Sequence, residues 1–70
     1  MRWIVVGAGG HARVVADAVR AAWPDATIVG HLDDDVAKQA SDVLGHPVLG
    51  PIESIATWPH DAVALGIGVG

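Results

Sequence analysis

A glycine-rich turn between an apolar run and an amphipathic segment constrains this chain more than any other sequence feature. Residues 3–6 are apolar and end at a glycine, which is typical of a parallel strand buried on both faces. Glycine at positions 7, 9 and 10, with alanine at position 12, then matches the pattern G-x-G-x-x-A. A strand, this turn and a helix in succession predict a parallel α/β sheet whose turn can approach a phosphate group.

The first helix is predicted from the spacing of its apolar residues. Between residues 11 and 23, apolar side chains recur at intervals of three and four, whereas Arg13, Asp17 and Arg20 lie on the opposite face. Pro24 ends this helix because proline cannot donate to the helical hydrogen-bond ladder.

The rest of the chain predicts shorter elements. These are a strand over 27–32, a loop or helical turn over 36–46, a strand over 47–50, a helix over 52–58 and a strand over 62–67. The order β-α-β-β-α-β predicts a small Rossmann-like parallel sheet with flanking helices. Gly30 inside a strand indicates the close approach of a ligand or of another backbone. We expect the last strand to lie inside the sheet and the chain to be a truncated fragment.

Composition excludes several classes of protein. With 51% hydrophobic and 17% charged residues, the 70-residue chain is not intrinsically disordered, and its net charge of −4 disfavours binding to nucleic acid. The absence of cysteine excludes disulfides and thiolate metal sites. No uncharged stretch approaches the roughly 18 apolar residues of a membrane helix. We therefore expect a cytoplasmic protein that does not insert into a membrane.

The glycine turn and one aspartate suggest a nucleotide ligand. Gly7 would allow the tight turn, and Gly9 would let the backbone approach a phosphate at the positive end of the following helix. Asp33 lies 24 residues beyond Gly9, about where an acid reaches a ribose hydroxyl in dinucleotide-binding folds. Two alternatives stay open: a strand-to-helix turn that binds no ligand, and a run of aspartates that forms an ordinary solvated turn.

Four segments of the chain resemble a known family. They are I-V-V-G-A-G-G-H-A-R-V-V-A-D from residue 4, G-H-L-D-D-D from residue 30, P-V-L-G from residue 47 and A-L-G-I-G from residue 64. Together they resemble the N-terminal domain of the NeuD/PglD-like sugar acetyltransferases. The resemblance implies that residues 1–70 form a Rossmann-like domain that binds a UDP-amino sugar. In that family a left-handed β-helix follows, which trimerises, binds acetyl-CoA and carries the catalytic histidine.

The resemblance also implies a substrate-binding set. Its glycine turn and histidine would hold the sugar-phosphate end, its aspartates the nucleoside end, and its last glycine would close the pocket. The set consists of Gly7, Gly9, Gly10, His11, Asp33, Asp34 and Gly68. The family usually continues with an Asp-Asn or Asn-Asn pair where this chain has Val69 and Gly70, which is a departure from its pattern. We predict no catalytic residue and no metal ligand in this chain.

Other interpretations remain beside this one. A truncated NAD-type binding domain of an oxidoreductase would share the glycine turn and the acid. A third interpretation is an α/β fragment that only associates with itself, because residues 63–67 are apolar on both strand faces and need cover. Three of the histidines, His31, His46 and His60, are not at metal-ligand spacing, and we expect most of them at the surface.

Overall fold

The computed structural model describes residues 1–39, 42–43 and 45–66. Its elements are strand β1 (Arg2–Val6), helix α1 (Gly10–Ala22), strand β2 (Thr27–Leu32), strand β3 (Asp42–Val43), strand β4 (His46–Gly50), a 3₁₀ helix (Ile52–Thr57) and strand β5 (Ala62–Leu65). The strands form a sheet in the order β3-β4-β2-β1-β5. All pairs are parallel except β3 with β4. The predicted α/β class with a Rossmann-like sheet is therefore confirmed.

The main core lies between α1 and one face of the sheet. Ala12, Ala16 and Val19 are buried on one stripe of the helix and pack with Val5 and Ile28 from the two central strands. The alanines carry no bulk beyond Cβ, so the helix axis can lie close to the strands. This packing fixes the start of α1 beside the carboxyl ends of β1 and β2.

The opposite face of the sheet is covered by the 3₁₀ helix, which lies against β2. Ile4 and Val6 alternate with the α1-facing Val5 and therefore point to this second face, where both are buried. The short helix predicted over 52–58 is present after Pro51, but it is six residues of 3₁₀ helix and not the α-helix of the predicted element order.

Two further expectations about the sheet need correction. The segment predicted as a loop or helical turn over 36–46 contains the short strand β3, which adds an antiparallel edge to β4. We expected the last strand inside the sheet, yet among the described strands β5 pairs only with β1 and forms an edge. Residue 67, the predicted end of that strand, lies outside the described residues.

Gly30 is explained by a neighbouring strand. A Cβ atom at this position would lie 2.6 Å from Leu49 Cγ and 2.8 Å from the Pro47 carbonyl oxygen. The register of β2 is also irregular here, where it pairs with β1. The close approach is therefore that of β4.

None of the helices among the described residues has the length and apolar character that a membrane-spanning helix requires.

Candidate functional site

The glycine turn that joins β1 to α1 begins with a backbone conformation that favours glycine. Gly7 has φ of 110°, which a residue with a Cβ adopts only with strain. Its N–H donates to the Leu32 carbonyl at 2.6 Å, so the turn begins as a continuation of the pairing between β1 and β2. Gly7 therefore redirects the chain from the sheet towards α1.

Three consecutive residues at the end of β2 hold this turn in place. The Leu32 carbonyl accepts from Gly7, the ring Nδ1 of His31 lies 2.8 Å from the Gly7 carbonyl oxygen, and Asp33 Oδ2 accepts from the Ala8 N–H at 2.9 Å. The peptide group between Gly7 and Ala8 is thus hydrogen-bonded at both its oxygen and its nitrogen. Its orientation is set by β2.

The first turn of α1 has no side-chain cap. Gly9 is the N-cap residue with ordinary extended angles, φ −86° and ψ −169°, and the first turn contains no acidic residue. The first helical hydrogen bond runs from the Arg13 N–H to the Gly9 carbonyl at 3.3 Å. The N–H groups at the start of the helix therefore lack partners within the helix and carry the positive end of its dipole. Such an end attracts an anion.

The two predicted aspartates make hydrogen bonds to backbone groups around the turn. Asp33 Oδ1 accepts from the Asp35 N–H at 2.8 Å, in addition to the bond from Ala8 to Oδ2. Asp34 Oδ1 accepts from the Ile52 N–H at 2.9 Å and so connects this loop to the 3₁₀ helix. Both carboxylates shape the rim of the site.

A cavity of about 390 Å³ opens at the carboxyl ends of the central strands. Its lining residues come from the turn, the acidic loop and the ends of two later elements: Gly7, Ala8, Gly9, Gly10, His11, Asp33, Asp34, Lys38, Ile52 and Gly66. Six of the seven predicted site residues are among them. The seventh, Gly68, lies outside the described residues. Their role in binding a substrate stays a prediction.

Lys38 is a residue of this site that the sequence did not reveal. Its Nζ lies 3.3 Å from the position that a Cβ on Gly9 would occupy. Lys38 also lines a second, more open cavity of about 640 Å³ that adjoins the first along the glycine turn. The lysine is brought back over the turn because Gln39 Nε2 donates to the Asp33 carbonyl and the Lys38 N–H donates to the Asp35 carbonyl, both at 2.9 Å.

Gly66 is a second missed residue, and its role is steric. A Cβ atom here would lie 2.8 Å from Ala12 Cα, and the Gly66 N–H donates to the Val6 carbonyl at 2.7 Å. Only glycine lets the chain after β5 pass this close to the first turn of α1. The sequence resemblance included Gly66, but its pattern did not indicate which atoms it approaches.

We expected most of the three histidines at positions 31, 46 and 60 to lie at the surface, and the structure places them differently. His31 is fully buried, so a surface position was wrong for this residue. His46 is half-buried and its Nε2 lies 3.1 Å from Arg20, while His60 Nδ1 lies 2.6 Å from the Trp58 carbonyl. Burial lowers the pKa of both His31 and His46 because it disfavours the charged ring. No cluster of three or more metal-ligating side chains occurs in the ranges that the structure describes.

Comparison with known families identifies the fold that carries this site. The family model of the PglD N-terminal domain matches residues 2–70. The chain belongs to the PglD N-terminal domain family. The resemblance drawn from the glycine turn and the acidic run is thereby confirmed for nearly the whole chain. No curated protein matches the chain. In this PglD N-terminal domain, the cavity is lined by three of the four segments that carried the resemblance, together with Lys38 and Ile52.

Proposed function

We propose that this PglD N-terminal domain binds a nucleotide sugar, a UDP-amino sugar, for a bacterial sugar acetyltransferase that uses acetyl-CoA. The observation that carries this proposal is the uncapped start of α1, which opens into a cavity that is also lined by a lysine and two aspartates. A diphosphate flanked by a nucleoside and a sugar presents complementary groups: anionic oxygens in the middle and hydrogen-bond donors at the ends.

The phosphate end of the site is supported by charge and by backbone geometry. The helix N–H groups after Gly9 can donate to phosphate oxygens, and the lack of a side chain at Gly9 leaves room for close approach. Lys38 and His11 line the same cavity and bring a cationic group and a ring donor to it. In this proposal Lys38 neutralises part of the diphosphate charge.

The nucleoside end is assigned to Asp33 and Asp34. Ribose hydroxyls and the N3–H of uracil are donors, and carboxylate oxygens accept them with their remaining lone pairs. Asp34 uses only Oδ1 for its bond to Ile52 among the described groups, which leaves Oδ2 for a ligand. Each oxygen of Asp33 already accepts one backbone N–H, so Asp33 can offer a ligand only the second lone pair of each oxygen.

The acetyl transfer itself is proposed to take place outside this domain. By the resemblance, acetyl-CoA and the catalytic histidine belong to a β-helix domain that trimerises, so no cofactor is assigned to residues 1–70. We expect no acetyl transfer from acetyl-CoA to a UDP-amino sugar by the purified 70-residue chain. Turnover by this chain would contradict that assignment. A cytoplasmic location stays a prediction consistent with such a substrate.

Calorimetric titration with UDP, a UDP-amino sugar and NAD tests the proposal. We expect both UDP ligands to bind more tightly than NAD. Gly9→Val should remove most of the UDP affinity, because its side chain would stand where the phosphate approaches. Gly9 has an ordinary φ and only the movable end of Lys38 nearby, so this variant should fold. NAD binding equal to or tighter than UDP binding would instead support an oxidoreductase domain.

The charge of Lys38 is tested with a matched pair of variants. Lys38→Met should weaken UDP binding by about tenfold, as expected for a lost charge-assisted hydrogen bond, and leave the weaker binding of uridine unchanged. Arg2→Met removes the same charge at the opposite end of β1, where Arg2 pairs with Asp61 at 3.2 Å. Equal losses in the two variants would mean that only net charge matters and that Lys38 does not contact the phosphates.

A further inference from the structure

His31 stands in the middle of the sheet, where buried strands normally carry apolar residues. It lies on β2 between β1 and β4 and is 0% exposed. In the register it is the partner of Val5, which packs against α1, so the ring lies on the helix side of the sheet. A buried polar ring in this place requires a hydrogen-bonding role.

The two ring nitrogens of His31 have different surroundings. Nδ1 lies 2.8 Å from the Gly7 carbonyl oxygen, which can only accept, so Nδ1 must carry the proton. Nε2 is buried and has no hydrogen-bond partner among the described protein groups. The neutral ring with its hydrogen on Nδ1 is therefore the form that fits this site.

The hydrogen bond from His31 acts on the peptide group at the centre of the glycine turn. The Gly7 carbonyl belongs to the same peptide as the Ala8 N–H, which donates to Asp33 Oδ2. Without the bond to His31, this peptide next to a glycine could rotate, because glycine allows both signs of φ with little strain. Rotation would turn a carbonyl oxygen towards the start of α1 and repel an anion there.

We propose that His31 is a positioning residue, whose neutral ring holds the Gly7–Ala8 peptide in the orientation that allows an anionic ligand to bind at the start of α1. The identity of the ligand in this proposal rests on the proposed function. The protonation of the ring and the orientation of the peptide do not depend on it. His31 does not touch the ligand. It acts through the Gly7 carbonyl.

The same geometry keeps the His31 ring in its neutral form. A second proton on Nε2 would place a charge in a buried site without an acceptor among the described groups. The charged and titratable groups on the packed elements are His46 on β4, whose ring centroid lies 6.2 Å from that of His31, and two residues of α1, Arg20 and Asp17. Arg20 contacts both the His46 ring and Asp17. Two of these three groups are cationic or become so in acid, so the surroundings disfavour a protonated His31.

Two substitutions separate the hydrogen bond from the packing of the ring. His31→Asn keeps an N–H donor close to the position of Nδ1 but does not titrate, whereas His31→Leu removes the donor and keeps apolar bulk. At about pH 7.5 we expect His31→Leu to weaken UDP binding by about tenfold, the size of one lost buried hydrogen bond, and His31→Asn to recover most of that loss.

Nuclear magnetic resonance keeps the proposal testable if a variant folds poorly or if UDP does not bind. The ring ¹⁵N shifts of wild-type His31 should report the neutral form with hydrogen on Nδ1, and the Ala8 amide should exchange slowly in the wild type and faster in His31→Leu. Hydrogen on Nε2, or equal Ala8 exchange in a folded His31→Leu, would overturn the proposal. Failure of wild-type UDP binding with both signatures present would contradict the proposed function alone.

Discussion

Leu32 and Leu65 occupy equivalent places on the two strands that flank β1, since each is the register partner of Val6. Leu32 is fully buried, whereas Leu65 is 71% exposed. The difference arises because β2 has strands on both sides and the 3₁₀ helix against it, while β5 is an edge of the described sheet. Position in the sheet decides burial here, and the residue type does not.

The candidate site is built mainly from β2, the strand of this pair that has a neighbouring strand on each side. The end of β2 supplies the three residues that hold the glycine turn, and the acidic loop continues directly from it. From the β5 side, the described contribution to the cavity is Gly66, which carries no side chain. Ligand geometry should therefore respond strongly to changes near β2 and weakly to changes on the outer surface of β5.

The largest contrast should come from shortening the two leucines. Leu32→Ala removes a fully buried side chain and leaves a cavity, so we expect the free energy of unfolding to fall by about 2–5 kcal/mol. Leu65→Ala should change it by less than about 0.5 kcal/mol because the side chain is already exposed. Urea denaturation followed by tryptophan fluorescence measures both values. Similar losses would mean that β5 is covered as well as β2.

A smaller effect is expected where β5 meets α1. Gly66→Ala places Cβ 2.8 Å from Ala12 Cα, a backbone atom that cannot yield, so we expect a loss of about 1–3 kcal/mol in stability. Gly10→Ala is the matched control. In the described part of the chain, a Cβ on this helical residue would meet no neighbouring atom within 4 Å, which should give a gain of up to about 1 kcal/mol. A neutral Gly66→Ala would show that the chain after β5 can move away from the helix.

The free energy of unfolding should also depend on pH through two histidines, one on β2 and one on β4. Burial lowers the folded-state pKa of His31 and His46, so below the ordinary value near 6.5 the unfolded chain binds protons that the folded chain does not. The stability that comes from keeping these two rings neutral is therefore fully present above about pH 6.5 and is lost as the pH falls below it. Arg2 lowers the pKa of Asp61, and the loss from that carboxylate begins only in stronger acid.

Urea midpoints measured across this range, with His31→Leu as the comparison, check the assignment. The variant should lose less stability on acidification than the wild type, because one of the two rings whose pKa is lowered in the folded chain is absent. A wild-type protein that is equally stable at about pH 5 and about pH 7.5 would contradict the burial of both rings.

Substitutions at the β5 edge should have the smallest effect on stability, but they should change self-association measurably. Val63 and Leu65 are 40% and 71% exposed, which leaves apolar surface on a strand with an unpaired edge in the described sheet. We predict that the chain self-associates, most simply as a two-fold dimer. Light scattering at several concentrations should show association in the wild type and less in Leu65→Lys. A strictly monomeric wild type would contradict this prediction.

Local sequence signals were sufficient for most of the elements. The predicted strands over 3–6, 27–32 and 47–50 lie within one residue of β1, β2 and β4, because short apolar runs between turn residues determine them. The edge position of β5 could not be predicted in this way. An apolar run is compatible with both an interior and an edge strand, and the difference depends on which strands pair.

The glycine turn and the aspartates were predicted because a backbone motif requires particular residue types at fixed spacing. Lys38 was missed because it reaches Gly9 through a loop folded by its own hydrogen bonds, which no spacing rule describes. His31 was missed because its partner, Gly7, is 24 residues away. A signal did exist for His31: a titratable residue within a strand of a predicted parallel sheet is expected to be buried with a hydrogen-bond partner.

The open start of α1 links ligand occupancy to folding. A serine at position 9 could accept a hydrogen bond from the first turn and stabilise the empty domain by a few tenths of a kcal/mol, but its side chain would occupy the place of the anion. With glycine at this position, the N–H groups of the first turn have no side-chain cap and can donate to an anion instead. With the proposed nucleotide sugar as that anion, the melting temperature should rise with ligand concentration, and the domain should resist unfolding and proteolysis best when the ligand is abundant.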